Sequence, residues 1–459
     1  MKQNKKMELL GSAPVPKALL AMGIPMMTGM MISAVYNLVD AYFVGNLGTS
    51  QMGAISVAFP LGQTVVGLGL LFGTGAASYI SRLLGQRNFE QADNAASTSI
   101  YGSILSGAVF IIVTVIFLKP MLRILGATDS IMPYAVTYAG IYVISSVFNV
   151  FNVTMNNIVT SEGGAKISMC ALLSGAVLNM ILDPVFIDIF NFGVKGAALA
   201  TAVSQAVSTI VYLLYIFSKK SVFSFSIRKC RFSKVIFSEI FKIGIPTLVF
   251  QLLTSLSIML INRQANTFLV NTSKEYVDSV IAGMGAVTRV ISMGSLMVFG
   301  FLKGFQPIAG FSYGAKKYDR LHEAIKTSVL WSTVFCVLFG TAVTIFSENI
   351  ISHFTSGNAE MISIGKKARM AYGLSFLFFG YCTVYSSLLL AMGKGRAGFI
   401  VGALRQGICF VPVIFILPIV SGISGIMYAQ PIADIISFII TLFAAIYINR
   451  HLYKKLSII

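Results

Sequence analysis

Acidic residues are scarce in this sequence. Its 459 residues include 16 Asp and Glu against 34 Lys and Arg, and charged residues together make up only 11%. A soluble protein carries about a quarter, so the composition excludes a soluble globular chain. Histidine is limited to three separated copies, and the five cysteines (Cys170, Cys230, Cys336, Cys382, Cys409) show no CxxC spacing. These shortages leave no zinc cluster or disulfide framework to read, and the cysteines read as small buried hydrophobes. HExxH, GxSxG and Walker signatures are missing, which argues against a membrane enzyme. Long polar segments are missing too, which argues against a receptor with an appended soluble domain. No apolar h-region with a small-residue cleavage site follows the basic start Met1–Lys6, so no cleaved signal peptide is expected.

What the chain has in abundance is apolar sequence: 56% of residues are hydrophobic, and the mean hydropathy is +0.82. A membrane span needs about 20 apolar residues. Twelve stretches qualify, near 17–44, 51–83, 92–118, 130–160, 166–189, 194–217, 234–270, 276–312, 322–346, 360–391, 397–419 and 424–449. The expected fold is therefore an all-α polytopic membrane protein. One set of loops carries most of the basic residues, from Lys2, Lys5 and Lys6 through Arg82/Arg87, Lys166, Lys219–Lys234, Lys316–Arg320 and Lys394/Arg396 to Arg450/Lys454/Lys455. The opposite set holds Lys119, Arg123, Lys195 and Lys274, with Lys366, Lys367 and Arg369 at the start of the tenth stretch. The positive-inside rule then places both termini in the cytoplasm, with the chain in the cell's inner (plasma) membrane. On this reading the net charge of +18 reflects topology and attraction to anionic membrane lipid, not nucleic acid.

The basic link Ser218–Ser233 divides the chain into similar halves. Gly85-Gln-Arg answers Gly314-Ala-Lys, Gly163-Gly-Ala-Lys166 answers Gly393-Lys-Gly-Arg396, and Gly193-Val-Lys-Gly196 answers Gly422-Ile-Ser-Gly425. The three offsets between partners agree almost perfectly, a constancy that chance similarity among apolar helices would not maintain. Met22-Gly-Ile-Pro25 likewise answers Ile243-Gly-Ile-Pro246. With six stretches each, residues 1–217 and 234–459 are expected to form two parallel lobes joined by a cytoplasmic linker, a transporter architecture.

Within this apolar background two acids stand out. Asp40 sits about midway along the first expected span, in Tyr36-Asn-Leu-Val-Asp40, and Asp183 ends Leu178-Asn-Met-Ile-Leu-Asp183 before Pro184. A carboxylate inside a span is costly, and it usually faces a partner or a water-filled path. Asn179 and Asp183 are four residues apart on one helix face, and Tyr36, Asn37 and Asp40 share another. Pro184 has no N–H and loosens the helix beside Asp183. Carboxylate, amide and hydroxyl oxygens suit a small hard cation, so such a site can serve a proton or sodium.

These segments together resemble the multidrug and toxic compound extrusion (MATE) transporters, and among them the DinF- and MepA-like branch. The resemblance spans nearly the whole chain. It rests on Gly23-Ile-Pro25 with Asp40 and Gly45, Tyr79-Ile-Ser-Arg-Leu-Leu-Gly85, Leu178–Pro184 with Gly193–Ala198, Gln306-Pro-Ile-Ala-Gly-Phe-Ser-Tyr-Gly-Ala315 and Pro431-Ile-Ala-Asp434. It implies two six-helix lobes in a V, exporting amphipathic, often cationic drugs against inward proton or sodium flow. It also implies a cation-coupling site at Asp40, Asn179, Asp183 and Thr201, with Asn157 as a neighbour. The first four would be metal ligands if sodium is the coupling ion. The other major branch carries acids in spans seven, eight and ten; here those spans hold Arg263, Arg289 and Lys303, so coupling is expected in the first lobe. Asp434 is expected to pair with a cation or cap a polar network.

Flexible thioethers and aromatics with a few amides suit a promiscuous pocket. Met26, Met27 and Met30 with Tyr36 and Asn37 in span one, and Phe148, Phe151, Asn152, Met155 and Asn156 in span four, are the candidate drug-binding residues. The expected function is a multidrug antiporter, acting as a monomer on small molecules and organic cations. No cofactor is expected beyond the coupling H+ or Na+. The alternative from the same superfamily is a flippase of a lipid-linked saccharide.

Overall fold

The computed structural model describes residues 2–45, 47–231, 233–267, 274–354 and 371–456. Among them the chain is helical throughout, with no strand. In order come α1 (Lys2–Gly11), α2 (Val15–Gly45), α3 (Thr49–Gly85), α4 (Phe89–Ile116), α5 (Leu118–Ile124), α6 (Met132–Ser161), α7 (Ala165–Pro184) and α8 (Val194–Phe217). Then follow α9 (Lys234–Thr267), α10 (Lys274–Gly314), α11 (Tyr318–Phe354), α12 (Phe379–Ala391), α13 (Gly395–Ala403), α14 (Phe410–Ser421) and α15 (Ile423–Leu456). Away from water every backbone polar group must be satisfied within its own segment, which is why apolar runs of this length form helices. Eleven helical segments among the described residues are long and apolar enough to cross a membrane. The expected eighth stretch lies within α10 but is not one of the eleven. Lys366, Lys367 and Arg369, with the beginning of the tenth stretch, lie outside the described residues.

Local sequence explains the interruptions. Asn88 caps α4 by accepting a hydrogen bond from the backbone N–H of Gln91 at 3.2 Å, a common N-cap arrangement. Pro184 has no N–H to give Met180, and immediately after it the helix widens into a π-turn over Val185–Ile189. Three positions with left-handed backbone follow the sequence repeat: Arg87 and Lys316 (φ 60° and 57°), Gly163 and Gly393 (φ 90° and 79°), and Gly193 and Gly422 (φ 53° and 62°). The repeated motifs therefore share turn geometry as well as letters.

By its internal contacts the chain divides into two compact units. The first comprises Met1–Val249 with Lys303–Lys316 and Ala391–Gly393; the second comprises Phe250–Leu302, Lys317–Leu390 and Lys394–Ile459. The 218–233 link thus lies wholly inside the first unit.

In the first unit α3 runs along α6, α2 along α7, and α8 packs on both α6 and α7. Small residues let these backbones approach, as is usual for helices in lipid. A methyl group on Gly244 would lie 2.0 Å from the carbonyl oxygen of Leu71, and one on Gly73 would lie 3.1 Å from both Thr154 Cα and Val153 O. An apolar cluster of Ala54, Ala58, Leu61, Leu122, Ala135, Ala139 and Val143 fills the space between α3, α5 and α6.

Near the α6–α7 turn, buried Glu162 accepts from Lys6 Nζ, Tyr215 OH, Ser221 Oγ and Val222 N. That one carboxylate ties α1, α6, α8 and the link together. In the second unit α14 packs on α15, Phe376 stacks between Phe339 and Phe379, and Ser257 Oγ donates to the carbonyl of Gln406 at 2.6 Å.

Candidate ion-coupling site

Two contacts set the register of α2 against α7. A methyl group on Gly29 would lie 2.9 Å from Leu172 Cδ1, and further along Val44 and Ile187 share one buried cluster with Ala197. Both pairs have the same separation along the chain, so the helices run parallel in a constant register. Asp40 and Asp183 share that separation too, which sets them level, one helical turn before the Val44–Ile187 contact. Each carboxylate accordingly lies within electrostatic reach of the other. Asp40 is not midway along its helix. It lies five residues from the end of α2, whose limit at Gly45 is one residue beyond the expected stretch.

Asp183 is fully buried and Asn179 is 2% exposed. Their side chains meet one turn apart, Asn179 Nδ2 donating to Asp183 Oδ1 at 3.3 Å. The other two oxygens, Asn179 Oδ1 and Asp183 Oδ2, have no hydrogen-bond partner. Buried polar atoms are rarely left unpaired, and two acceptors side by side on one helix face fit a proton or a small cation. Asp40, half-buried, supplies a further carboxylate at that level. Among the described residues no basic side chain pairs with either acid.

Sequence reasoning missed the tyrosines around this site. Tyr138 of α6 lies within electrostatic reach of Asp40, Asp183 and Tyr36, and it stacks on Tyr142 at 6.0 Å. Tyr138 also packs against the Val44–Ile187 cluster. The available signal was the spacing of Tyr134, Tyr138 and Tyr142, which repeats every four residues on a helix otherwise read for its Phe and Asn residues.

The other expected ligands are placed differently. Thr201 is half-buried on α8, and no hydrogen bond joins it to the Asn179–Asp183 pair among the described residues. Asn157 lies four residues from the end of α6, whereas Asp183 lies eighteen residues beyond the start of α7. At 1.5 Å per residue the two differ in depth by roughly 20 Å. Asn157 instead lines a small polar cavity of about 10 Å³ with Ser78, Ser81, Thr160, Lys303 and Gln306, room for about one water. There Lys303 Nζ donates to Asn156 Oδ1 at 3.1 Å, and Asn156 Nδ2 donates to Tyr212 OH at 3.2 Å.

Several candidate drug-binding residues are taken up in packing. Met26 and Met155 are fully buried, and Phe151 is 7% exposed. Asn152 bridges α6 to α8 by donating to Gln205 and accepting from Thr209. Asn37 is exposed and donates to the carbonyl of Ser33, Met27, Met30 and Tyr36 are half-buried, and Phe148 is exposed.

In the second unit Asp434 is paired, as expected. Arg405 Nε donates to Oδ1 at 2.7 Å, a second guanidinium nitrogen reaches Oδ2 at 3.4 Å, and Gln430 Nε2 donates to Oδ1 at 2.8 Å.

Comparison with known proteins bears on the whole chain. The MatE family model matches residues 25–185 and 246–416. The multidrug export protein MepA of Staphylococcus aureus (strain NCTC 8325 / PS 47) is 32% identical over 94% of both chains. MepA of Staphylococcus saprophyticus is 29% identical, covering 95% of this chain and 94% of that one. Among solved structures, an outward-facing multidrug resistance MATE family transporter of the MOP superfamily aligns with a TM-score of 0.91 at 25% identity, over 98% of this chain and 99% of that one.

Proposed function

The chain belongs to the MatE family, and on that premise we propose that it is a secondary active multidrug efflux antiporter, exporting amphipathic, often cationic compounds in exchange for H+ or Na+. The observation that carries this reading is the level pair Asp40 and Asp183, with the unpartnered oxygens of Asp183 and Asn179 beside it. A carboxylate away from water keeps its charge only against a cation. Among the described residues no fixed lysine or arginine pairs with these acids, so the cation in this reading is exchangeable. Uptake of a proton or sodium lowers the negative charge of the pair, and its release restores a more negative surface that attracts a cationic drug. Antiport needs the two events to oppose each other, and that opposition is reciprocal in binding free energy. If sodium is the ion, Asp40, Asp183 and Asn179 would hold it.

Export relatives support a small-molecule substrate and a transporter rather than an enzyme. We place the chain in the cell membrane with both termini cytoplasmic, on the strength of the loop charges. A saccharide-lipid flippase would use free cationic side chains for an anionic cargo; Arg405 is already neutralised by Asp434.

The test is efflux of a fluorescent cation from proteoliposomes under a pH or sodium gradient imposed separately. Wild type should respond to at least one gradient, and Asp40→Asn and Asp183→Asn should each lose most of that response. Gradient-driven export at wild-type rate by both folded variants would refute the assignment.

A further inference from the structure

A groove of about 780 Å³ opens in the first unit, away from the acid pair. Its walls are carbon-rich: Leu68 and Phe72 of α3, Leu105, Val109 and Val113 of α4, and Ile227 of the link. Leu105, Val109 and Val113 are 59%, 52% and 48% exposed, so the groove is open along α4. From Thr98 to Val113, both lining residues, α4 rises about 22 Å. The hydrocarbon of one leaflet is about 15 Å deep, half of the roughly 30 Å core. The groove is therefore long enough for an extended acyl chain.

Its mouth is basic by construction. Two hydrogen bonds pin the link to α4: Tyr101 OH donates to Phe225 O at 3.2 Å, and Arg231 N donates to Thr98 Oγ1 at 3.1 Å. Within the link, Ser226 Oγ accepts from Arg228 N at 3.3 Å. The short turn Ile227–Lys229 and the two residues after it then place Ile227 and Cys230 in the groove lining, with Arg228, Lys229 and Arg231 between and beside them. Arg228 and Arg231 are exposed and Lys229 is half-exposed. None of the three side chains makes an ion pair among the described residues. The two carboxylates that touch the link are already occupied: Asp93 by Ser224 N and Oγ at 2.9 and 2.7 Å, and Glu162 by Lys6, Tyr215, Ser221 and Val222.

We propose that this groove binds an anionic phospholipid of the leaflet bordering the link, one acyl chain lying along α4 and the headgroup phosphate held by Arg228, Lys229 and Arg231. Charge complementarity sets the occupant. Three unpaired basic side chains repel the cationic drugs that the acid pair attracts, and they offer a zwitterionic lipid less than an anionic one. Basic pockets between spans at a membrane face are recognised lipid headgroup sites. Each basic residue near the surface adds roughly fivefold in affinity, so three give a preference on the order of a hundredfold before screening by salt.

Native mass spectrometry of the purified full chain tests this, with phosphatidylglycerol, phosphatidylcholine and inorganic phosphate as probes. Phosphatidylglycerol should be retained at least tenfold better than phosphatidylcholine, and phosphate alone should not compete with it. The triple variant R228Q/K229Q/R231Q should lose the preference, and Val109→Trp should lose retention with every charge intact. Both change side chains at the surface, and their melting temperatures check folding. As a second readout in a C170S background, phosphatidylglycerol should slow alkylation of Cys230. Equal retention of the two lipids, a preference that survives the triple substitution, or Val109→Trp binding like wild type would each overturn the site. Displacement of bound lipid by a cationic drug at equal potency in wild type and the triple variant would also overturn it, because the groove would then be a drug path.

Discussion

Replacing Asp434 should damage stability far more than ion coupling. Asp434 is 5% exposed and its side chain takes three hydrogen bonds, two of them from the Arg405 guanidinium. Truncation to alanine leaves that guanidinium, 18% exposed, without its counter-charge. Breaking a buried ion pair from one side costs about 3–5 kcal/mol. The residual exposure of Arg405, and its placement 4.4 Å over the Phe379 ring, offset part of that, by about 0.5–2 kcal/mol. The expected loss for Asp434→Ala is therefore about 2–4 kcal/mol. Asp434→Asn keeps one acceptor for Nε and should lose about 1–3 kcal/mol. The apolar double variant R405M/D434L should lie within about 1 kcal/mol of wild type or above it, because neither charge is then stranded. Thermal and denaturant unfolding in lipid nanodiscs would measure these, with gradient-driven efflux assayed in parallel. Two results would refute the reasoning. One is an Asp434→Ala variant no less stable than an ordinary surface substitution, within about 0.5 kcal/mol of wild type. The other is a stable R405M/D434L that no longer couples transport to an ion, which would make Asp434 a working site rather than a brace.

Other expectations follow from the same contacts. Drug affinity measured from pH 5 to 9, with and without sodium, should fall wherever the coupling ion binds, by the equivalent of about 1–3 kcal/mol; Asp40→Asn should flatten that dependence, and wild-type affinity indifferent to both ions would end the competition mechanism. A cysteine at Ser226, in the basic link, should be labelled only by reagent reaching the cytoplasmic face, and labelling from outside would invert the topology. Gly244→Ala, which would drive a methyl to 2.0 Å from a backbone oxygen of α3, should destabilise the first unit by about 1–3 kcal/mol, and unfolding indistinguishable from wild type would contradict that packing.

The spans are legible because lipid leaves a chain little choice but helix over an apolar run. Helix limits are less legible, since hydropathy reports the membrane and not the backbone. Hydropathy marks the eighth stretch at 276–312, but its helix runs Lys274–Gly314, whereas α2 at Val15–Gly45 nearly matches the stretch 17–44, and either limit puts Asp40 in the last turns and not at mid-span. The repeat is visible in letters at Gly163/Gly393 and Gly193/Gly422, where a positive φ favours glycine. It extends to Arg87 and Lys316, which adopt the same conformation without announcing it. Pairing of Asp434 with a basic residue can be anticipated because a lone buried acid is untenable, and Arg405 on the neighbouring stretch is the available cation. Tyr138 and Tyr142 escape notice because tyrosine spacing alone does not separate a polar lining from interhelical packing. Asn152 and Met155 read as pocket residues for the opposite reason: residue type suggests binding, while Gln205 and Thr209 have already claimed the amide of Asn152.

How the charges are partnered separates structural acids from exchangeable ones. Glu162 is matched by Lys6 at 3.1 Å, Glu239 by Arg82 at 2.7 Å, and Asp434 by Arg405 at 2.7 Å. Each of these pairs joins different helices, and none has a buried carboxylate oxygen left unpaired. Asp183 is as buried as Glu162 but receives only an amide from its own helix, while one oxygen stays open. Among the described residues a lysine or arginine is supplied three times elsewhere and none here, although α2 and α7 are packed closely enough to set two acids level. A fixed cation at that point would occupy the place of the exchangeable one permanently. The mismatch costs stability unless a proton or metal ion completes the site, and that conditional cost is what allows an ion gradient to do work on the protein. Several helical turns away in depth, Lys303 is partnered by Asn156, which donates to Tyr212, and Asn157 beside them donates to the carbonyl of Val153, so these residues are better placed to hold α10 against α6 than to share the exchangeable ion.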